Sequence, residues 1–191
     1  MPWNHNIAFH PLILEQVPRD CADALDIGCG DGLLTRKLAT MSGRVTGLDL
    51  SPEMVTLSRK LAPSLRYVEG DLLTCDLPDK GFDFVSTVAV IHHMDFTAAL
   101  RRMSDLLRPG GRLVVVGVAA NRTPLDWVYD AASVVTHQVL YRVHGYDQSP
   151  APVAEPSMSW SQVRREGLRL LPGARYRRHT LWRYSLVWTK P

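Results

Sequence analysis

Cysteine is scarce in this sequence, and its spacing suggests no bridging or metal-binding role. Three cysteines occur among 191 residues, at Cys21, Cys29 and Cys75. The number is odd and no pair has Cys-x-x-Cys spacing, so neither a disulfide framework nor a zinc site is predicted. We therefore expect no metal ion, and thiols of this kind favour a reducing, cytoplasmic location.

Long apolar runs and a large excess of charge are also missing. No apolar segment approaches the ~20 residues of a membrane-spanning helix, and Met1 to Pro18 lacks the apolar core of a signal peptide. The formal net charge of +3 does not favour nucleic-acid binding. There are no internal repeats and no long linker. These absences predict one soluble domain over residues 1–191, with neither a membrane nor a nucleic acid as partner.

What the sequence has instead is a glycine-rich stretch from Asp26 to Gly32. The apolar run from Ala22 to Ile27 predicts a buried strand, and helical spacing resumes after the stretch. Gly28, Gly30 and Gly32 stand on alternate positions between the two elements. Glycine adopts positive φ in a tight turn and, having no Cβ, lets another molecule lie against the backbone. The stretch therefore predicts a strand, turn and helix that can hold a nucleotide-like ligand.

Two further apolar runs end in an acid. The second predicted strand ends at Asp49 and the third is followed by Asp71. Ligands of parallel α/β sheets bind beyond the carboxyl ends of the strands. We therefore expect Asp26, Asp49 and Asp71 to face one crevice.

These elements, in this order and spacing, resemble the class I S-adenosylmethionine-dependent methyltransferases, in particular the small-molecule branch. The resemblance is close from Asp20 to Gly117 and looser as far as Pro191. It implies an α/β, Rossmann-like, doubly wound sheet of seven strands, mostly parallel, with the last strand antiparallel and helices on both faces. It also implies S-adenosylmethionine as methyl donor, S-adenosylhomocysteine as product and a small-molecule acceptor, without a metal.

The resemblance also assigns roles to residues of this chain. In that family the turn from Asp26 to Gly32 accommodates the amino-acid end of the cofactor. The acid at Asp49 takes the ribose hydroxyls, and the acid at Asp71 recognises the adenine amino group. The candidate cofactor-binding residues are Asp26, Gly28, Cys29, Gly30, Gly32, Asp49, Leu50, Met54, Asp71, Leu72 and Val88.

Histidines are the candidates for acid–base chemistry. His92 and His93 follow the fourth strand, whose carboxyl end faces the methyl donor in this family. Because successive side chains alternate along a strand, His92 is predicted to line the acceptor pocket and His93 to begin the next turn. His5 and His10 belong to the N-terminal segment. Each histidine is a hydrogen-bonding group or general base, or else an ordinary structural residue.

Two segments lie outside the shared motifs. Residues 1–19 are predicted to form an N-terminal cap, in which Trp3, His5 and His10 either help to close the site or merely anchor the segment. Residues 121–158 are predicted to form a helical, lid-like insertion, from Thr123 to Gly145, followed by a proline-rich loop at 149–156. The apolar stripe of that helix alternatively serves as a dimer face or packs in the core, so a monomer and a homodimer both remain open.

Three rival functions stay open at this point. A nicotinamide-dependent oxidoreductase also uses a glycine turn, but its pattern is Gly-x-Gly-x-x-Gly. A nucleic-acid or protein methyltransferase is the second, although the Asn/Asp-Pro-Pro-aromatic motif of amine-modifying enzymes is absent after the fourth strand. The third is a non-catalytic partner subunit that binds the cofactor. The acceptor, its reacting atom and the need for a base are not fixed by these motifs.

Overall fold

The computed structural model of the protein describes residues 3–145 and 155–191. Most of the proline-rich loop expected at 149–156 lies outside these residues. Within the described ranges, no helix is long and apolar enough to cross a membrane.

Strands and helices alternate through the first two thirds of the chain, and a hairpin ends it. The strands are β1 (Asp23–Ile27), β2 (Arg44–Asp49), β3 (Arg66–Glu69), β4 (Phe82–Val88), β5 (Leu107–Gly117), β6 (Arg175–Arg178) and β7 (Tyr184–Thr189). The α-helices are α1 (His10–Leu14), α2 (Leu33–Leu38), α3 (Pro52–Leu61), α4 (Phe96–Leu106), α5 (Pro124–His144) and α6 (Trp160–Leu170). Short 3-10 helices span Ile7–Phe9 and Ile91–His93.

The strands form one seven-stranded sheet in the order β3-β2-β1-β4-β5-β7-β6. The first five strands pair in parallel, whereas β7 is antiparallel to both β5 and β6. The reversal of strand order beside β1 and β4 is the point at which α/β sheets bind ligands. The expected mixed sheet with an antiparallel last strand is confirmed.

Alternate residues of β5 show how both faces of the sheet are covered. Leu113 and Val115 belong to a core that includes α4 and α6, whereas Val114 and Val116 belong to a core that includes α1 and α2. All four side chains are fully buried. A parallel strand that is apolar on both faces must be covered on both, and the expected helices on both faces are confirmed.

Capping residues set the helix starts that the sequence predicts. Ser51 accepts a hydrogen bond from the amide of Met54 at 3.2 Å and precedes a proline in the first turn of α3. Ser159 opens α6 with a capping box. The helical spacing after the glycine turn predicts a helix over 32–41, but the helix spans only Leu33–Leu38.

The start of β5 is irregular. The proline and glycines from Arg108 to Gly111 predict a turn before the fifth strand, but these residues lie within the bounds of β5. Leu107 pairs with Phe82 and Arg112 pairs with Phe84, so the four residues between Leu107 and Arg112 form a bulge. The register shifts opposite Phe82 and Phe84 of β4. The amide of Gly110 donates to the carbonyl of Lys190 at 2.8 Å. Distant pairing thus supplies hydrogen bonds that a local turn would have made internally, which sequence patterns do not reveal.

Candidate active site

The glycine turn joins β1 to α2 and is tied to the end of β2. Gly28, Gly30 and Gly32 all have positive φ, at 69°, 55° and 76°. The amide of Gly28 donates to the carbonyl of Leu48 at 2.7 Å. These contacts fix the turn at the carboxyl edge of the sheet, where the sequence predicted it.

The three glycines leave room for different neighbours. A Cβ on Gly28 would lie 2.1 Å from a methyl group of Val90, and one on Gly32 would lie 2.6 Å from the hydroxyl of Tyr67. A Cβ on Gly30 would have no described atom within 4 Å. Gly28 and Gly32 therefore allow close packing within the protein, whereas Gly30 leaves its backbone open to a ligand.

Asp49, at the end of β2, faces the same opening. One carboxylate oxygen accepts from the amide of Gly30 at 2.7 Å, and the other accepts from the amide of Ser51 at 2.9 Å. A carboxylate offers about four acceptor positions. Asp49 is thus held in place by two backbone amides and keeps acceptor capacity on both oxygens.

The rest of the crevice has one apolar and one acidic surface. Leu50 follows Asp49 and is 69% exposed, although it is a large apolar side chain. Asp71 is exposed, and one of its oxygens accepts from the amide of Leu73 at 2.8 Å. Met54 and Val88 are half-buried. An apolar side chain and a carboxylate on this edge suit the face and the amino edge of a planar base.

Asp26 does not face this crevice, contrary to expectation. Its side chain is buried beneath the turn, where it accepts hydrogen bonds from Thr35 at 2.7 Å and from Ser86 at 3.3 Å. Burial raises the pKa of Asp26 to about 7, against the opposing effect of these two hydroxyls. Its position joins the turn to α2 and β4, so it supports the site from below.

Two other predicted cofactor contacts have their side chains in the core. Cys29 packs with Val55 and Tyr67, and burial raises the pKa of its thiol. Leu72 belongs to the main core and is 2% exposed. The side chains of Cys29 and Leu72 do not line the crevice, because they pack against apolar residues beneath the turn and beside β3.

The end of β4 differs from the extended strand that the sequence predicts. The strand ends at Val88, Ala89 adopts a positive φ of 54°, and the 3-10 helix Ile91–His93 follows. Strand alternation therefore does not determine where the two histidines point. Their rings lie 4.1 Å apart, with His92 half-buried and His93 exposed. Left-handed backbone at a non-glycine residue is costly and clusters at functional sites.

A cavity of about 220 Å³ lies beside this short helix. His92 lines it, and the Nδ1 atom of His92 is buried without a hydrogen-bond partner among the described residues. Burial, together with the nearby His93 and Arg183, lowers the pKa of His92 to about 4. The imidazole is therefore neutral at pH 7. The apolar residues of the wall include Ile91, Met94, Phe96, Val118, Met158 and Tyr184.

The N-terminal segment packs against α5 and the end of the hairpin. His5 and His137 are joined by a hydrogen bond of 2.9 Å between their ring nitrogens, and the ring of Trp3 stacks on His137. Burial, Arg183 and His137 lower the pKa of His5 to about 4. His10 lies elsewhere, 3.1 Å from Lys37 of α2. This contact joins the N-terminal segment to α2.

Sequence reasoning missed Arg183. It precedes β7 and donates to Asn6 at 2.8 Å. Its charge acts on both His5 and His92, although the three residues are far apart in the chain. In the sequence, Arg183 is one of several arginines in the last third of the chain. No local signal marks it, because the antiparallel insertion of β7 brings it to this edge.

Comparison with known proteins agrees with this geometry. A family model described as a methyltransferase domain matches residues 25–115. An uncharacterized methyltransferase of Mycobacterium tuberculosis is 35% identical over 196 residues, covering 100% of this chain and 98% of the relative. The chain belongs to the class I S-adenosylmethionine-dependent methyltransferase family. The predicted family is confirmed.

Other similar proteins include one with a named activity and one that is more distant in sequence. A ubiquinone biosynthesis O-methyltransferase of Xanthomonas euvesicatoria is 32% identical over 181 residues, covering 85% of this chain and 71% of that protein. A crystal structure of an S-adenosylmethionine-dependent methyltransferase from Mesorhizobium loti has a TM-score of 0.68 at 17% identity, covering 96% of this chain and 98% of that one. At 17% identity, the similarity to the Mesorhizobium loti structure shows a shared fold.

The crevice of the methyltransferase suits the cofactor of its family on three independent grounds. Gly30 leaves open space where any other residue would place a Cβ. Asp49 is oriented by two amides and retains acceptor positions for hydroxyl groups. Leu50 presents an exposed apolar surface. A small polar group, a diol and a flat apolar ring are the parts of S-adenosylmethionine that would meet them.

Proposed function

We propose that this methyltransferase transfers a methyl group from S-adenosylmethionine to a small-molecule acceptor held beside His92. The observation that carries the proposal is the small cavity at the carboxyl end of β4, which His92 lines together with both polar and apolar side chains. Pockets of this character bind the apolar body of a ligand and fix one polar group.

Four residues of the crevice would hold the cofactor. The backbone at Gly30 would meet the amino-acid end, and Asp49 would accept from the ribose hydroxyls. Leu50 would meet the adenine ring, and Asp71 would accept from the adenine amino group. S-adenosylmethionine, when bound, supplies a methyl group on a positively charged sulfur, which is already a strong electrophile.

The chain's own contribution on the acceptor side is placement and removal of a proton. His92 is neutral at pH 7 because burial lowers its pKa to about 4. A neutral imidazole has one ring nitrogen that can accept a hydrogen bond from an acceptor hydroxyl or amine and orient it. The O-methyltransferase activity named for the Xanthomonas relative supports an oxygen acceptor.

The segment over residues 1–19 acts as a cap in this proposal. The contact between His5 and His137 joins it to α5, within the insertion at 121–158. The two segments and the central sheet together make one methyltransferase domain over residues 1–191. Closure of this kind excludes water from the reacting groups.

A test measures release of S-adenosylhomocysteine with small apolar alcohols, phenols, carboxylic acids and amines as acceptors. We expect turnover with one of these classes. Val118→Phe, which fills the cavity, should remove that turnover while S-adenosylhomocysteine still binds normally. Turnover on RNA or a peptide alone, or equal turnover in Val118→Phe, would contradict the proposal. Tight cofactor binding without any turnover would favour the non-catalytic partner subunit.

A further inference from the structure

Helix α5 exposes most of its apolar residues, although Leu140 packs against the core. Its two buried residues, Asp126 and Ser133, are polar. The apolar and aromatic residues that are between 54% and 67% accessible are Leu125, Trp127, Val128, Val135, Val139, Tyr141 and Val143. This pattern reverses the usual orientation of a surface helix. The expectation that the apolar stripe packs in the core is therefore wrong.

Specific polar contacts hold the helix in this orientation. Arg178 of β6 donates to the carboxylate of Asp126 at 2.5 Å. The amides of Arg122 and Thr123, together with Arg178, keep the pKa of Asp126 at about 2 despite its burial. Farther along, the indole of Trp182 donates to Asp130. The polar side of α5 is thus bonded to the hairpin, and its apolar side has to face outward.

The outward face carries charge of one sign. Both acids of α5, Asp126 and Asp130, are turned toward the hairpin. The exposed charged residues are Arg122, just before the helix, and Arg142, near its end. Twenty residues separate them, which is about 30 Å along a helix. The face is an apolar strip with a positive charge at each end.

We propose that α5 docks on the surface of an anionic lipid membrane, with its axis parallel to that surface. Helices at a lipid interface bury an apolar face in the headgroup region and gain from attraction of basic residues to anionic lipids. Trp127, which is 63% exposed near the start of α5, is a residue type that favours this interface. The proposal concerns peripheral binding and goes beyond methyl transfer.

The charges favour a lipid surface over a second copy of the chain. In a symmetric antiparallel contact between two α5 helices, Arg142 of one copy approaches the Arg122 end of the other. In a parallel contact, each Arg142 faces its counterpart. No acid of α5 faces outward to offset either encounter. Like charges opposed across an interface are unfavourable, whereas both arginines meet opposite charge at an anionic surface.

The proposal is tested by sedimentation with phosphatidylcholine vesicles, with and without phosphatidylglycerol. The protein should sediment with the anionic vesicles only, and less as salt increases. Val128→Glu combined with Val135→Glu should weaken binding roughly 30-fold or more, as should Arg122→Glu combined with Arg142→Glu. The matched control is Leu61→Glu, on α3, where Leu61 is 51% exposed. It should bind as the wild type does.

Tryptophan fluorescence provides a second measurement. Of the five tryptophans, Trp127 is the most exposed, at 63%. Its emission should shift to shorter wavelength on addition of anionic vesicles, and Trp127→Phe should lose that shift. Absence of vesicle binding, or equal binding to neutral vesicles, would overturn the proposal. So would a wild-type dimer that the valine substitutions convert to a monomer, because a second copy would then cover the face.

Discussion

The cofactor crevice and the acceptor side of this methyltransferase are built in different ways. The crevice uses backbone amides and one oriented carboxylate, all within 46 residues from Asp26 to Asp71. The acceptor side uses side chains that the fold collects from distant segments, as in the bond between His5 and His137, 132 positions apart. Local motifs can specify the first kind of site, whereas only the complete fold assembles the second.

The two sides can also be compared by the protonation states of their ionisable groups. Burial raises the pKa of Asp26 beneath the crevice and lowers the pKa of His92 and His5 on the acceptor side. In each case the environment favours the neutral form. Asp49, in contrast, is exposed enough to meet a ligand and is stabilised by amides. Substitutions on the two sides should therefore change different measurements.

The largest expected effect concerns Asp26 and pH. Its folded-state pKa of about 7 lies above the ordinary value of 3.8. Between these values the folded state holds a proton that the unfolded state has lost, so stability falls as pH rises through this window. Relative to Asp26→Asn, the wild type should lose about 4 kcal/mol by pH 7, with no further change above it. Urea unfolding of both proteins across this range measures the difference, and a constant difference would contradict a buried, protonated Asp26.

The next effect concerns Asp49 and the cofactor. Asp49→Ala should weaken binding of S-adenosylhomocysteine by about 3 kcal/mol, roughly 150-fold, because charged hydrogen bonds are lost and partners are left unpaired. Glu53→Ala is the control, since Glu53 is a nearby exposed acid that binds Ser51. Calorimetry should show near-normal affinity for the control. Normal cofactor affinity in Asp49→Ala would mean that Asp49 stabilises the turn and does not bind the cofactor.

The third effect belongs to the acceptor side. His92→Asn should lower turnover roughly 100-fold through loss of the proton acceptor, with cofactor affinity unchanged. The exposed His93 is the matched position, and His93→Asn should have little effect. Wild-type turnover should stay level from pH 8 down to pH 6 and fall only toward the His92 pKa of about 4. Equal, modest losses of turnover in the two variants would mean that both histidines are structural residues.

The smallest expected effect distinguishes backbone strain from loss of ligand contact at two glycines. Gly30 and Gly110 both have positive φ and open space at the Cβ position, but only Gly30 lies in the crevice. Alanine at either position should cost about 1 kcal/mol of stability. Gly30→Ala should also weaken cofactor binding roughly tenfold, whereas Gly110→Ala should not. Equal affinities in the two variants would mean that the space at Gly30 is not occupied by the cofactor.

The local geometry of the glycine turn could be predicted from the sequence, whereas the geometry around His92 could not, for physical reasons. Glycine at positive φ and acids at strand ends are local requirements, so Gly30, Asp49 and the order of elements could be predicted directly. Asp26 could not, because its partners Thr35 and Ser86 and its burial depend on packing. The expected alternation at His92 assumed an extended strand, which Ala89 interrupts.

The extent of helix α5 could also be predicted from the sequence, whereas the face that it turns toward the protein could not. Its extent to Gly145 and its capping box at Thr123 were predicted from local pattern. Its apolar stripe was expected to serve as a lid wall, a dimer face or core, and the structure leaves that stripe exposed. Which face turns inward is decided by Arg178 and Trp182, from a hairpin about 50 residues later.

The most direct test of the account is a calorimetric titration of the wild type with S-adenosylmethionine, S-adenosylhomocysteine and a nicotinamide dinucleotide. We expect each of the first two to bind at a single site and to raise the melting temperature, because a ligand of the native state stabilises it by mass action. The dinucleotide should do neither. Binding of the dinucleotide, with no binding of either sulfur compound, would contradict the assignment of the crevice around Gly30 and Asp49 to the methyl donor.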